Sequence, residues 1–253
     1  SFAADHLIGD QSAFADAVAQ AVSVAETGLV VTIGITPTHA STAFGYIQAG
    51  SALAGFETAR AVTAFVEKPD AKRASEFLAT GEYFWNAGMF VVRASVLLDL
   101  LRETEPELVQ TVVKLAEVWH TDARADALTE LWPALHKVAI DYSVAEPAAA
   151  AGIVAVVPAS FSWHDVGDFA AIAELQSHGR SGNLAVLGNA KVLADSSSGI
   201  LVSESNRLIA LIGLEDVIVV DTPDALLITT KAHAQKVKSL VDALKATGHS
   251  DVL

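Results

Sequence analysis

Strand-like and helix-like segments alternate along the first 180 residues, and this alternation restricts the folds that the chain can adopt. Runs such as Leu29–Ile35 and Ile153–Val157 are almost entirely apolar, which is typical of strands buried on both faces. Segments with helical periodicity alternate with the strand-like runs; the first is Gln11–Glu26, which follows Asp10 as an N-cap and ends before Gly28. The pattern predicts an α/β domain with a mixed, mostly parallel sheet.

The same periodicities predict the other elements of this region. The further predicted strands are Ala61–Glu67 and Ala87–Arg93. Asp70 is the predicted N-cap of a helix that ends at Leu78. The other predicted helices are Ser95–Arg102, Glu105–His120, Asp122–Leu131 and Asp168–Gln176. Ligands of α/β sheets bind at the carboxyl ends of strands. We therefore expect the functional residues in the segments that adjoin these strands.

A different pattern begins near Ser181. Short apolar runs, separated by Gly, Asn, Ser and Asp, predict a small β-rich region of a coiled or solenoid-like kind that an amphipathic helix at Lys231–Thr247 closes. The glycine-containing segment His178–Asn183 is interpreted as an interdomain linker. We therefore predict two domains, residues 1–180 and residues 181–253.

Composition excludes several classes of function. The 253 residues include 16 Lys and Arg against 30 Asp and Glu, a net charge of −14 without any basic cluster. Binding to nucleic acid or to an anionic membrane is therefore not expected. The absence of cysteine excludes disulfides and a thiol nucleophile, and it is consistent with a cytoplasmic location. No apolar interval is long and uninterrupted enough for a membrane helix.

Charged and amide side chains at two strand ends are candidates for ligand contacts. Glu67 and Lys68 precede Pro69 in "FVEKPD", and a carboxylate can accept from hydroxyls while an ammonium group meets a phosphate. Asn86 lies in the apolar stretch "YFWNAGMF", where Gly88 would allow close approach of the backbone to a ligand. The alternatives are an ordinary solvated ion pair and an asparagine that starts a turn.

Two aspartates form a candidate metal site. Asp165 lies in "FSWHDVGDF" and Asp5 lies in "SFAADH", and a pair of carboxylates completed by water and phosphate suits Mg²⁺. The alternative role for Asp165 is to cap the helix that follows it. His6 and His164 lack the spacing of zinc ligands, so we interpret them as packing or capping residues.

A polar stretch at Ile35–Ile47 leads to Gly45 and is interpreted as a loop, which either faces a ligand with its backbone or is a plain surface connection.

Three common sequence signatures do not occur in the sequence. They are GxSxG of serine hydrolases, GxxxxGK[ST] of P-loop proteins and GxGxxG of dinucleotide-binding domains. The sequence therefore gives no support to these three classes of protein.

Seven fragments, in this order along the chain, resemble the mannose-1-phosphate guanylyltransferase family, also called GDP-mannose pyrophosphorylases. The fragments are SFAADH, TIGITPT with FGYI, FVEKPD, YFWNAGMFVVRA, IDYSVAE, SWHDVGDF and RLIALIGLEDVIVVDTPDALLI. The resemblance implies a Rossmann-like nucleotidyltransferase domain followed by a short β-helical region. It also implies that GTP and mannose 1-phosphate are the substrates and that GDP-mannose and pyrophosphate are the products.

The resemblance assigns roles to individual residues. It implies that Asp5 and Asp165 bind Mg²⁺ and that Lys68 meets the sugar phosphate, so these three would be the catalytic residues. The substrate-binding residues that it implies are Gly45, Glu67, Lys68 and Asn86. The family usually has the run PETGYGY where residues 40–46 of this chain read ASTAFGY. Part of the expected sugar-binding site therefore differs from the family pattern.

The family's N-terminal glycine-rich segment, which binds the triphosphate and the base, is not in the sequence. We therefore expect the chain to be a fragment of a longer protein, without the first strands of its sheet. Three alternatives stay open: a transferase for another sugar 1-phosphate or nucleotide, a non-catalytic sugar-nucleotide-binding or regulatory relative, and an α/β interaction module. The β-rich region could pack on its own domain or on another subunit, so a homodimer is also open.

Overall fold

A computed structural model describes residues 1–159, 161–177 and 184–248. The chain divides into two compact units. The N-terminal unit contains residues 1–4 and 8–163, and the C-terminal unit contains residues 5–7 and the described part of the chain from residue 164 onward. The predicted linker at His178–Asn183 and the predicted domain boundary at 180/181 lie outside the described residues.

The secondary structure follows the predicted alternation. The strands are β1 (His6–Ile8), β2 (Val30–Ile35), β3 (Gly45–Ala52), β4 (Arg60–Val66), β5 (Tyr83–Val91), β6 (Val154–Ala159), β7 (Trp163–Asp165), β8 (Leu184–Gly188), β9 (Lys191–Asp195), β10 (Gly199–Ser203), β11 (Leu208–Ile212), β12 (Val217–Asp221) and β13 (Leu226–Thr230). The α-helices are α1 (Gln11–Ala25), α2 (Ala71–Thr80), α3 (Ala94–Thr104), α4 (Pro106–Val118), α5 (Arg124–Leu131), α6 (Glu146–Ala150), α7 (Phe169–Ser177) and α8 (Val237–Ala246). Two 3₁₀ helices, Trp132–Ala134 and Lys231–Lys236, and a π-helix, Asp141–Ala145, complete the described elements. Among the described residues, no helix is long and apolar enough to cross a membrane.

The sheet of the N-terminal unit is mixed and closes on itself in the order β2-β5-β3-β4-β6. The prediction of mostly parallel pairing was wrong, because only β2 and β6 pair in parallel and the other described pairings in this sheet are antiparallel. β3 was missed, since its first residues were interpreted as the end of a loop. β3 and β4 are joined by a short connection without a helix, and a connection of that length can only give an antiparallel pair.

The predicted caps and the buried strands of this unit are confirmed. Asp10 accepts hydrogen bonds from the backbone N–H groups of Ser12 and Ala13, each at 3.0 Å, and so starts α1. Every residue of β2 is buried, and Ala21 and Val24 of α1 are fully buried in the same core. The sheet is therefore covered by α1, as its apolar composition predicts.

The C-terminal unit contains a parallel β-helix, which confirms the predicted β-helix-like region. β8, β10 and β12 stack in parallel and in register, β9 and β11 stack in the same way, and β13 pairs antiparallel with β12. Leu201, Val219 and Leu211 fill the interior between the two stacks of strands, whereas Ile200 and Ile218 point to the other face and pack against Ala173 of α7. Because α7 packs on these strands, it belongs by its contacts to the C-terminal unit.

A buried carboxylate holds one corner of the β-helix. Asp221, at the end of β12, is fully buried and accepts hydrogen bonds from the hydroxyls of Ser205 and of Ser203, the latter at 3.0 Å. Nε of Arg207 lies 3.1 Å from its other carboxylate oxygen. The hydrogen bonds from Ser205 and Ser203, together with the charge of Arg207, lower the pKa of Asp221 against the opposing effect of burial.

We expect Asp221→Asn to lower the Tm of the β-helix at pH 7 by several degrees, because the substitution leaves Arg207 and two hydroxyls around an uncharged group. A lowered pKa stabilises the folded state above the ordinary carboxyl pKa, and this contribution is lost as pH falls through the lowered value. The difference in Tm between wild type and variant should therefore shrink below about pH 4. Thermal unfolding followed by circular dichroism checks this, with exposed Asp224→Asn as the control. An equal effect of the two substitutions would contradict the assignment.

Candidate active site

The amide of Asn86 lies where three strands of the N-terminal unit meet. Asn86 belongs to β5, where it pairs with Gly34 of β2 and with Gly45 of β3, and it is 7% exposed. The structure therefore places it within a strand, and the alternative of a turn residue before the strand was wrong. A buried amide in such a position needs defined hydrogen-bond partners.

Three partners fix the orientation of the Asn86 amide. Its Oδ1 accepts hydrogen bonds from the hydroxyl of Thr32 at 2.9 Å and from the backbone N–H of Gly88 at 3.2 Å. Its Nδ2 donates to Oδ1 of Asp141 at 3.0 Å. An amide nitrogen carries two N–H groups, so one N–H group of Asn86 is not accounted for by these contacts.

Gly45 allows a carboxylate to approach the strand. A Cβ atom at this position would lie 2.6 Å from Oε2 of Glu67 and 3.4 Å from Cβ of Asn86, so a side chain there would displace Glu67. The structure thus brings together three of the predicted substrate-binding residues, which are far apart in sequence. Together with Asp141, these residues are called the Asn86 cluster below: Gly45, Glu67, Asn86 and Asp141.

Lys68 adjoins the Asn86 cluster in a strained backbone conformation. Its φ is 41°, in the left-handed region that residues other than glycine adopt at a cost. Its Nζ lies 3.5 Å from Oε1 of Glu67, and its side chain is 61% exposed, whereas that of Glu67 is 12% exposed. The half-buried carboxylate of Glu67 therefore stands beside an ammonium group that is open to solvent.

The electrostatics of the cluster are dominated by carboxylates. Burial raises the pKa of Glu67 above its ordinary value, and the negative charges of Asp141 and Glu146 raise it further, whereas Lys68 lowers it. An uncharged ligand whose hydroxyls donate to these carboxylates fits such an environment better than a bare anion does. An anionic group would be accommodated at the exposed ammonium of Lys68.

Sequence reasoning missed Asp141 and Glu146 as members of the site. Asp141 is the first residue of the π-helix Asp141–Ala145 and Glu146 is the first residue of α6. The fragment "IDYSVAE" contributed to the family resemblance, but neither carboxylate was given a role. π-Helical turns occur often at functional sites, but sequence periodicity does not reveal them.

The two predicted metal-binding aspartates also lie together, in the C-terminal unit. Ligand atoms of Asp5, His6 and Asp165 all lie within 4.8 Å of one another; these three residues are called the Asp5 cluster below. Strand β1 pairs with β7, and the backbone N–H of Val166 donates to the carbonyl oxygen of Asp5 at 3.3 Å. The strand pairing thus brings the two ends of the α/β region together.

The donor set of the Asp5 cluster fits a hard divalent cation. Two carboxylates can bind Mg²⁺, and the exposure of Asp5 leaves room for water and phosphate oxygens. The prediction that His6 is only a packing or capping residue is incomplete, because its ring belongs to the cluster. The alternative that Asp165 caps α7 is unnecessary, because Asp168 accepts from the backbone N–H of Ala171 at 2.9 Å.

Two family models match successive parts of the chain. Residues 1–181 match the family described as Nucleotidyl transferase, and residues 189–244 match the family described as MannoseP isomerase/GMP-like beta-helix domain. The chain belongs to the nucleotidyl transferase family. This assignment confirms the predicted fold class, a nucleotidyltransferase domain with a mixed sheet followed by a β-rich region, and it confirms the resemblance seen in the sequence fragments.

The names of two relatives of this nucleotidyl transferase refer to alginate biosynthesis and to mannose-1-phosphate guanylyl transfer. It is 39% identical over 252 residues to the alginate biosynthesis protein AlgA of Pseudomonas aeruginosa, a match that covers 98% of the chain and 50% of AlgA. It is 35% identical over 254 residues to a mannose-1-phosphate guanylyltransferase of Escherichia coli (strain K12), covering 98% of the chain and 52% of the relative. The chain thus spans about half the length of the curated relatives that it matches.

One solved structure matches nearly the whole chain. It is described as a mannose-1-phosphate geranyltransferase from Thermus thermophilus, and it superposes with a TM-score of 0.76 at 30% identity, covering 96% of this chain and 68% of that one. The likeness therefore extends over both units of this nucleotidyl transferase.

Because the pKa of Glu67 is raised, its contribution to the stability of the fold depends on pH. The stability associated with a raised pKa is fully present below the ordinary carboxyl value of 4.5 and is lost as pH rises through the raised value. We therefore expect Glu67→Gln, which cannot ionise, to have a higher Tm than wild type at pH 7, by about 1–3 °C. Near pH 4 the two proteins should unfold at similar temperatures.

Differential scanning calorimetry at the two pH values measures this effect, and Glu130→Gln on the exposed face of α5 is the control. A Tm at pH 7 below that of wild type would show instead that the charge of Glu67 stabilises the fold.

Proposed function

We propose that the chain is part of a mannose-1-phosphate guanylyltransferase and that it carries the residues that bind mannose 1-phosphate and Mg²⁺. The observation that carries the proposal is the convergence of Gly45 in β3, Asn86 in β5 and Glu67, which directly follows β4, on one cluster beside the exposed ammonium of Lys68. The names of the relatives in Escherichia coli and Thermus thermophilus support a mannose 1-phosphate substrate.

The Asn86 cluster is suited to a sugar ring. The Glu67 carboxylate can accept hydrogen bonds from hydroxyls, and the remaining N–H group of Asn86 can donate to a hydroxyl oxygen. Because Gly45 has no side chain, Glu67 can lie against β3 without a steric clash. The site therefore offers a fixed acceptor and a fixed donor, which is how polar groups specify the orientation of a ligand.

Lys68 is suited to the phosphate group of the same substrate. A phosphate monoester carries up to two negative charges, and it would be repelled by the carboxylates of the cluster without a nearby cation. The exposed Nζ of Lys68 supplies that cation at the solvent side of Glu67. Lys68 thus offsets the charge of the nucleophilic phosphate while that phosphate approaches a second anion.

The Asp5 cluster is proposed as the Mg²⁺ site, with Asp5 and Asp165 as the protein ligands. Oxygen atoms are better ligands for Mg²⁺ than the imidazole nitrogen of His6 is, so we assign coordination to the two carboxylates. Bound there, the ion would neutralise charge on the phosphates and orient them. The contribution of this chain is to hold two carboxylates within 4.8 Å of each other.

The proposed reaction is an in-line displacement at phosphorus. An oxygen of mannose 1-phosphate forms a bond to the α-phosphorus of GTP, the bond from that phosphorus to the bridging oxygen breaks, and its electron pair leaves with pyrophosphate. The attacking phosphate is already an anion, so no base has to remove a proton from it. Positioning and charge neutralisation are therefore what the protein residues must provide.

Mannose 1-phosphate binding tests this proposal directly. We expect isothermal titration calorimetry to detect binding, and we expect Lys68→Met to weaken it by about 10–100-fold, the range for the loss of one charge-assisted contact. Lys72→Met removes an exposed ammonium group from α2 as the matched control and should leave the affinity unchanged. Equal losses in the two variants, or no binding by wild type, would contradict the proposed substrate site.

Metal binding provides an independent test. We expect Asp165→Asn to weaken binding of Mn²⁺, used as a paramagnetic substitute for Mg²⁺, by about tenfold or more, because one of two anionic ligands is lost. Electron paramagnetic resonance measures free Mn²⁺ during the titration, and competition with Mg²⁺ gives the affinity for the proposed ion. Exposed Asp242→Asn in α8 is the control. Unchanged Mn²⁺ affinity in Asp165→Asn would rule out this site.

A further inference from the structure

Among the described residues, Asp141 is the charged partner of the Asn86 amide. Its Oδ1 accepts a hydrogen bond from Nδ2 of Asn86 at 3.0 Å, and this contact spans 55 positions of sequence. The other two described contacts go to Oδ1 of Asn86, from Thr32 and Gly88. A threonine hydroxyl can donate or accept, so the contact with Thr32 does not by itself decide which side of the amide is oxygen.

Asp141 and the backbone N–H of Gly88 therefore set the orientation of the amide, because the first can only accept and the second can only donate. A carboxylate only accepts hydrogen bonds, so it must face the nitrogen of Asn86, and this leaves the second N–H group on that nitrogen in a fixed direction. Without Asp141, the backbone N–H of Gly88 would be the sole described contact that favours this orientation. A hydrogen bond to an ionised partner is stronger than a neutral one, which makes Asp141 the principal restraint.

The charge of Asp141 also acts on the second polar group of the cluster. Asp141 and Glu67 interact electrostatically, and this repulsion is one cause of the raised pKa of Glu67, after burial. Lys68 opposes the effect and Glu146 adds to it. One side chain is thus coupled both to the amide donor and to the carboxylate acceptor.

The backbone around Asp141 is also held by contacts that do not involve the Asp141 side chain. Val144 and Ala145 of the same π-helix are buried in an apolar core together with Ala148 of α6. The hydroxyl of Ser143 also donates to the carbonyl oxygen of Ala139 at 3.2 Å. These contacts anchor the segment, so a role in folding alone does not explain a carboxylate at position 141.

We propose that Asp141 is a positioning residue that determines sugar specificity: it fixes the Asn86 amide so that Asn86 and Glu67 present one donor and one acceptor to the hydroxyls of a hexose 1-phosphate. This inference rests on the proposed function, because it concerns the same sugar site. It adds a residue to which the family resemblance gave no role. Asp141 acts through Asn86, and direct contact with the sugar is not required.

Two substitutions separate the positioning effect from the charge effect. Asp141→Ala removes the acceptor, whereas Asp141→Asn keeps an oxygen that can still accept from Nδ2 of Asn86 and removes only the charge. Asp126→Ala, on the exposed face of α5, is the matched control. All four proteins, including wild type, are titrated with mannose 1-phosphate and with glucose 1-phosphate by isothermal titration calorimetry, and their Tm values are recorded.

We expect Asp141→Ala to weaken binding of mannose 1-phosphate by about tenfold or more and to bring the affinities for the two sugar phosphates closer together, with a Tm near that of wild type. Asp141→Asn should restore most of the affinity and of the preference. The control Asp126→Ala should behave as wild type does.

The dependence of binding on pH gives a second readout that a purely structural residue would not change. Binding needs ionised Glu67 as an acceptor, so it should weaken as pH falls through the pKa of Glu67. Both substitutions of Asp141 remove a charge that raises this pKa, while Lys68 and Glu146 stay in place. The loss of binding should therefore move to lower pH in both variants relative to wild type.

The outcomes distinguish this inference from the proposed function. Absence of mannose 1-phosphate binding by wild type would overturn the proposed function, and the inference with it. Binding by wild type with unchanged affinity and preference in Asp141→Ala would overturn the inference alone. A large fall in Tm in both variants, with no shift of the pH profile, would show that Asp141 has only a structural role and would likewise overturn it.

Discussion

The orientation of one buried amide is the constraint on which the rest of the site depends. Asn86 lies between β2 and β3, and its contacts reach Thr32, Gly88 and Asp141. These residues come from two strands and from a π-helix, so the amide is fixed only when these three segments have come together. The fold thereby converts three distant segments into one rigid donor, and preorganised groups of this kind lose little freedom when a ligand binds.

The candidate site combines a half-buried carboxylate with an exposed ammonium group. The carboxylate of Glu67 is shielded and surrounded by negative charge, whereas the ammonium of Lys68 is open to solvent. The first environment favours uncharged hydroxyls and the second favours an anion, which matches the two ends of a sugar phosphate. The Asp5 cluster, in the C-terminal unit, has the opposite preference because its two carboxylates attract a cation.

Sequence patterns predicted the elements with strong local signals and missed those set by tertiary contacts. Apolar runs and Asp10 located β2 and α1, because burial and capping are local properties. Strand direction was mispredicted, since a strand buried on both faces has the same composition in a parallel or antiparallel pair. The start of β3 was interpreted as the end of a loop because glycine is typical of loops, whereas the fold shows that a side chain at Gly45 would meet the carboxylate of Glu67.

The family resemblance located Glu67, Lys68 and Asn86 in the sequence, but their partners emerge only from the fold. The contact between Asn86 and Asp141 is invisible to periodicity, and so is the conformation of Lys68. With a φ of 41°, Lys68 costs about 1 kcal/mol that a glycine would not. A search for heat-resistant variants that scored stability alone would therefore favour glycine at position 68, and it would discard the amine that we propose binds the anion.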